Sequence, residues 1–148
     1  MRIVLDTNVL INAYDDDFSA SAKLLDAIQD GEITGLITTA TQREYHNILR
    51  RLIPDEHHHA KVNDAIARME TVTPAQASVV IDDPDDLKFI ETAIGGQADA
   101  IVTSDRHLLD IGEVDQISII TPTEAWTRFE EETNSSGEWN QWIQGLGL

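Results

Sequence analysis

Short apolar runs that end on acids alternate along this chain with longer stretches in which apolar residues recur every three or four positions. Arg2-Ile-Val-Leu5 reads as a buried strand that delivers Asp6-Thr7-Asn8 to its C-terminal end, followed by an apolar turn (Val9, Leu10, Ile11) and the run Asp15-Asp16-Asp17. Residues 19–30 carry Ala22, Leu25 and Ile28 at helical spacing, with Gly31 as the stop. A second strand is expected over 33–38. Thr41-Gln-Arg-Glu44 opens a helix that turns Tyr45, Ile48, Leu49 and Leu52 inward and ends before Pro54. Another helix over 56–70 turns Val62, Ile66 and Met69 inward, and a connection interrupted by Pro74 carries the short apolar run Val79-Val80-Ile81.

The densest stretch is 81–110. Asp83 is placed to cap a helix, with Pro84 at its first position and Asp85 and Asp86 in the first turn. Leu87, Ile90 and Ile94 share one face of that helix, and Gly95-Gly96 stops it. A strand over 100–103 then ends on Asp105. The last strand spans 117–120, and Thr121-Pro122-Thr123-Glu124 caps a final helix that runs through Phe129. Strand and helix in alternation predict an α/β fold with a mostly parallel sheet and right-handed crossovers. The reading divides the chain into one domain, 1–133, and a polar tail, 134–148, whose Trp139, Trp142 and Ile143 suit docking on this chain or on a partner.

Length and composition narrow the class. A chain of 148 residues forms one domain that buries about 70% of its unfolded surface. No apolar run approaches the ~20 residues of a membrane span, the start does not read as a signal peptide, and there is no cysteine. These point to a cytoplasmic protein with no disulfide framework or thiolate metal site. The charge is unusual: 27 acids against 10 bases give −17, and only Lys23, Lys61 and Lys88 are lysines. Solubility or a salty cytoplasm would account for such acidity, and so would cation binding. The charge argues against indiscriminate nucleic-acid binding, which needs a basic face.

Four acids fall on one edge of the expected sheet: Asp6 after the first strand, Glu44 after the second, Asp86 at its helix start and Asp105 after the strand at 100–103. Each alone has a local explanation. Glu44 would close a capping box begun by Thr41, and Asp86 would offset the positive end of its helix. Asp105 would cap a turn and Asp6 would hold an Asx turn. Together they repel one another and call for cations. Carboxylates and water suit Mg²⁺ or Mn²⁺, and two such ions ~3.5–4 Å apart clamp a phosphodiester.

The ordered set resembles the PIN-domain family, metal-dependent ribonucleases of which many are toxins of toxin–antitoxin pairs. The resemblance is carried by Ile-Val-Leu-Asp6-Thr7-Asn8, by Glu44 at the head of its helix and by Asp-Pro-Asp-Asp86 with Phe89 and Ala93. It continues in Ala98-Asp-Ala-Ile-Val-Thr103-Ser104-Asp105 and closes with Ile119-Ile120-Thr-Pro122. It implies a PIN-like three-layer α/β/α fold and a Mg²⁺ or Mn²⁺ site made by Asp6, Glu44, Asp86 and Asp105, assisted by Asn8 and Thr103 or Ser104. It also implies an RNA substrate hydrolysed by metal-activated water, a small antitoxin partner and, as is common in the family, a homodimer, with no membrane association. Where many relatives have a further acid this chain has His107, a departure that bears on a second metal ion.

Arg43, Arg50, Arg51, Lys88 and Arg106 are the bases nearest these acids and read either as RNA phosphate contacts, Arg43, Arg51 and Arg106 foremost, or as local partners of the abundant acids. His57-His58-His59 reads as a solvated helix start, because consecutive helical residues diverge and cannot share one ion. Two rival functions share the pattern. A haloacid-dehalogenase-like phosphatase would use Asp6 as nucleophile, but the second acid it wants two residues on is Asn8. A catalytically silent PIN-fold RNA-binding protein would not need the acids intact.

Overall fold

The computed structural model describes the backbone of residues 1–145 and the side chains of residues 1–134. β1 (Arg2–Leu5) is followed at once by α1 (Thr7–Asp15), which turns Val9, Leu10 and Ala13 into the core. The Val9–Ile11 segment is therefore the first turn of a nine-residue helix and not an isolated apolar turn. α2 (Ala20–Gln29) begins at Ser19, whose side chain accepts a hydrogen bond from Ala22 N, and β2 (Thr34–Ile37) follows. α3 (Thr39–Leu52) starts earlier than Thr41 suggests. Thr38 is the cap, and Thr41 returns the bond to the Thr38 backbone N–H in a capping box. Glu44 is thereby relieved of any capping duty.

After α4 (Glu56–Arg68) comes β3 (Glu70–Thr71), a two-residue edge strand that gives no periodic signal. α5 (Pro84–Gly95) begins as its sequence dictates, with the Asp83 side chain accepting from Asp85 N and Pro84 in the first turn. β4 (Ala100–Val102), α6 (Arg106–Ile111), β5 (Glu113–Val114) and β6 (Ile117–Ile120) complete the sheet. α7 (Pro122–Gly145) runs well past Phe129 and across the expected boundary after 133. The side chains of Trp139, Trp142 and Ile143, on which the docking reading of the tail rests, lie outside the described residues.

The sheet has the order β3-β2-β1-β4-β6-β5, parallel throughout except for β5 against β6. Strand order reverses at β1, whose neighbours are β2 on one side and β4 on the other. Ile3, Val4, Leu5, Ala100, Ile101 and Val102 are buried, as central strands of a sheet covered on both faces must be. α2 packs with α1, α4 and α7, while α5 lies on β1 and β4 and also meets α3, so helices flank the sheet in three layers.

The histidine run is not simply solvated. His57 is exposed, but His58 is buried with Nε2 3.0 Å from Leu10 O and its ring edge-on to Tyr14. His59 Nε2 meets Ile53 O. The three rings diverge as expected, and two of them fasten α4 to neighbouring backbone instead of facing water.

Candidate active site

In an open parallel sheet the crevice lies at the C-terminal ends of the strands, where strand order reverses. Here that point is between β1 and β4. Leu5 pairs in register with Val102, so the next residues, Asp6 and Thr103, must lie side by side. Asp6 N donates to Val102 O at 2.9 Å, and Thr103 Oγ1 donates to Asp6 Oδ2 at 2.7 Å. The same Thr103 oxygen accepts from Asp105 N at 2.9 Å, which ties the turn carrying Asp105 to Asp6. Asp6 caps α1 by position but makes no side-chain cap bond, so the Asx-turn explanation fails for it. It is only 9% exposed.

The other acids reach this edge from the flanking helices. Glu44, in the second turn of α3, has Oε2 accepting from Thr7 Oγ1 and Oε1 accepting from Lys88 Nζ at 2.8 Å. Asp86 lies in the first turn of α5 and accepts no hydrogen bond among the described residues. Asp105 caps α6, its Oδ1 accepting from His107 N at 3.0 Å, so its local role is real. Asn8 Oδ1 accepts from Ser104 N at 3.3 Å, and Ser104 Oγ accepts from Asn12 Nδ2 at 2.8 Å, so Asn8 and Ser104 brace the two loops against each other.

Burial pushes the Asp6 carboxyl above its ordinary range. The Thr103 and Thr7 donors pull it back, and the charges of Glu44 and Asp105 add to the rise. Burial likewise raises Asp86, helped by the charges of Asp83, Asp105 and Asp6, with His107 opposing. The carboxylates thus sit in one another's field. Yet among the described residues no three acidic or histidine side chains close into a group that could hold a metal ion. Glu44 and Asp105 are turned to protein donors instead. The donor set itself, carboxylate oxygens with two members made hard to ionise, is the chemistry that hard divalent cations satisfy.

Sequence reasoning gives no site role to Thr7 or Tyr45 and does not single Lys88 out from the other nearby bases. Thr7 follows Asp6 directly and holds Glu44. Tyr45, fully buried next to Glu44, donates its hydroxyl to Leu5 O and so pins α3 to the end of β1. Lys88 bridges Glu44 and, at 3.6 Å, Asp85. Its position is fixed from behind: Thr92 Oγ1 donates to Lys88 O at 2.7 Å and lies 2.9 Å from Thr38 Oγ1 at the start of α3. The hydrogen bond and charge of Glu44 raise the Lys88 ammonium above its ordinary range against the cost of burial. Arg43, Arg51 and Arg106 are exposed, and none forms an ion pair among the described residues. Pairing with local acids therefore does not account for them.

The upward shifts make a stability prediction. A carboxyl raised in the folded state binds its proton more readily there than in the unfolded chain, whose value is near 3.8. Without divalent cations the protein should therefore lose stability as pH rises from 3.8 through the raised values. Asp86→Asn removes one of these charges and should melt higher than wild type in chelator at neutral pH. Mg²⁺ should then raise the melting temperature of wild type more than that of the variant. Thermal melts of both proteins with and without Mg²⁺ check this. A variant that melts lower in chelator would make Asp86 a helix-end acid and nothing more.

Comparison with known proteins gives the family and the fold. A family model described as PIN domain matches residues 2–107, a span that contains all four acids. VapBC2 from Rickettsia felis, solved bound to a DNA fragment from their promoter, superposes with a TM-score of 0.56 at 15% identity, over 82% of this chain and 98% of that one. PAE2754 from Pyrobaculum aerophilum superposes with a TM-score of 0.59 at 16% identity, over 88% of this chain and 90% of that one. No curated protein is significantly similar in sequence.

Proposed function

We propose that this chain, which belongs to the PIN-domain family, is a metal-dependent endoribonuclease and the toxin of a toxin–antitoxin pair. The observation that carries the reading is the placement of Asp6. It is a buried carboxylate at the strand-order reversal, held by Thr103 and surrounded by the fields of Glu44, Asp105 and Asp86. Neither rival gains from the structure: the nucleophile of a phosphatase would still lack its second acid at Asn8, and a silent binder gives no reason for neighbouring charges that raise the Asp6 and Asp86 carboxyls.

Asp6, Glu44, Asp86 and Asp105 would hold Mg²⁺ or Mn²⁺. Bound there, such a cation supplies an acidified water and neutralises charge that develops on the phosphate. The chain's own residues do the rest. Thr103 keeps Asp6 oriented towards the cleft and ties it to the Asp105 turn. Thr7 and Lys88 keep Glu44 extended across the gap between α3 and α5. Asn8 and Ser104 hold the β1 and β4 loops at a fixed spacing.

The substrate reading leans on Arg43, Arg51 and Arg106, none of which forms an ion pair among the described residues. Arg51 lies seven residues, two helical turns or about 10 Å, beyond Glu44 on nearly the same face of α3. Arg43 flanks Glu44, and Arg106 follows Asp105. In a chain of −17 these exposed charges close to the acids in sequence are the ones proposed to meet a phosphate backbone. Arg43→Ala, Arg51→Ala and Arg106→Ala should each raise KM for RNA by about fivefold, the worth of roughly 1 kcal/mol, with kcat little changed. The effect should shrink at high salt. Steady-state cleavage of a labelled RNA checks this, and three unchanged KM values would make the arginines irrelevant to substrate.

The antitoxin and a homodimer are proposed as partners on the family resemblance. The tail from 134, with Trp139, Trp142 and Ile143, is the proposed docking segment. A cytoplasmic setting goes with the cysteine-free sequence, and no helix among the described residues is long and apolar enough to cross a membrane.

A further inference from the structure

Beside the acids, on the Glu44 side of the cleft, is a cavity of about 550 Å³ between the ends of β2 and β3, the first turn of α3 and the second turn of α5. That volume lies within the ~300–1,000 Å³ of small-ligand pockets. Its wall is mixed. Val72 and Pro74 offer apolar surface, while the hydroxyls of Thr39, Thr71 and Thr73 have no hydrogen-bond partner among the described residues. Lys88 belongs to both places: it lines the cavity, and its Nζ is 2.8 Å from Glu44 Oε1.

Lys88 is out of place in the general charge pattern. Of the three lysines, Lys61 pairs with Asp26 and Lys23 lies over the Trp126 ring, both away from the cleft. Only Lys88 puts an ammonium among the acids. A flexible four-carbon stem with a point charge suits one that can turn from Glu44 to an arriving phosphate. Apolar surface beside free hydroxyls suits a base and a ribose, which present flat faces rimmed by donors and acceptors. Glu91, also in the wall, is a carboxylate, which only accepts hydrogen bonds and so favours a base edge that offers donors. Guanine, with its ring N–H next to an amino group, offers the most.

We infer that this cavity is a subsite for one nucleotide of the RNA adjoining the cleavage point, with Lys88 taking its phosphate and the Thr and Glu91 wall taking a guanine in preference to a uracil. The inference rests on the ribonuclease reading for its context but not for its test. Guanosine 5′-monophosphate and uridine 5′-monophosphate are titrated onto the full-length wild-type chain by calorimetry, without turnover. Cleavage kinetics on a labelled RNA are run in parallel.

Lys88→Gln removes the ammonium. Ala40→Leu, at the cavity wall one helical turn before Glu44, fills the space without removing a charge or a hydrogen bond. Each variant should weaken guanosine monophosphate binding by about tenfold and raise KM for RNA by a similar factor. Ala40→Leu should do so with kcat and melting temperature close to wild type, which a merely structural role for this wall would not produce. Glu91→Gln should narrow the preference for guanosine over uridine monophosphate. Wild type that binds neither nucleotide, or binds equally well in Lys88→Gln and Ala40→Leu, overturns the subsite even if RNA is cleaved. Binding that follows these variants in a chain that cleaves no RNA upholds the subsite and overturns the ribonuclease reading.

Discussion

Asp6→Asn should reduce RNA cleavage by more than the ~10–100-fold that loss of an outer partner of a metal ligand costs, while the protein stays folded. The substitution changes one atom in shape and one unit of charge. The backbone bond from residue 6 to Val102 O survives, and an Asn side chain can still accept from Thr103. The 9%-exposed position loses a charge that burial already disfavours, so the variant should melt no lower than wild type in chelator. What it loses is the carboxylate at the centre of the acidic edge. Asp105→Asn should act in the same direction but also weaken its cap on α6. Thr103→Val should cost activity by about 10–100-fold, because it leaves both carboxylates in place and removes the hydroxyl that donates to Asp6 and accepts from Asp105 N. Measured side by side, these separate a ligand from a positioning residue. Asp6→Asn with wild-type turnover would remove this residue from the mechanism.

Gly95→Ala should be the most damaging conservative change in the fold. A Cβ at this position would lie 1.8 Å from Thr73 O and 2.9 Å from Thr73 C, both backbone atoms. The segment cannot simply step aside, because Ala75 N donates to Glu91 O at 3.0 Å and so fastens it to α5. Alanine gains about 0.8–1 kcal/mol of helix propensity over glycine. Overpacking costs about 1–3 kcal/mol, and the strained hydrogen bond adds about 0.5–1.5 kcal/mol. Taken near the middle of those ranges, the net loss should be about 2 kcal/mol. For a chain of this size that is a drop in melting temperature of roughly 4–8 °C. Thr73 and Pro74 also wall the cavity beside Lys88, so the same substitution should disturb nucleotide binding. A variant as stable as wild type would mean that the 73–75 segment is free to move.

That glycine shows where sequence reading reaches and where it stops. Gly95-Gly96 correctly marks the end of α5, but neither glycine has the left-handed backbone that a stop signal suggests. Gln97, at φ 53°, takes that conformation instead. The glycines are there because backbone and the Leu36 side chain come too close for a Cβ, a tertiary fact with no local signature. The long elements were legible from their period, and Asp83-Pro84 gave its helix start by composition alone. β3 and β5 escape because two residues cannot display alternation. α1 escapes because the acidic run after Ile11 ends its apolar pattern early, though Ala13 continues the buried face. In the site, Asp6, Glu44, Asp86 and Asp105 could be read from their places at strand and helix ends. Lys88 could not be told from the arginines around it. Its distinction is a contact with Glu44 across 44 residues of sequence, and that needs the fold.

The central claim is that the acidic edge works by holding a divalent cation while RNA is cut. The most direct measurement takes wild-type protein stripped with chelator, incubates it with a labelled RNA, and then returns Mg²⁺ or Mn²⁺ in steps, with Asp6→Asn from the same preparation alongside. The account predicts no cleavage in chelator, cleavage that rises and saturates with added cation in wild type, and none at any cation concentration in the variant. Robust cleavage by the stripped wild-type protein, or equal cleavage by Asp6→Asn, would contradict it.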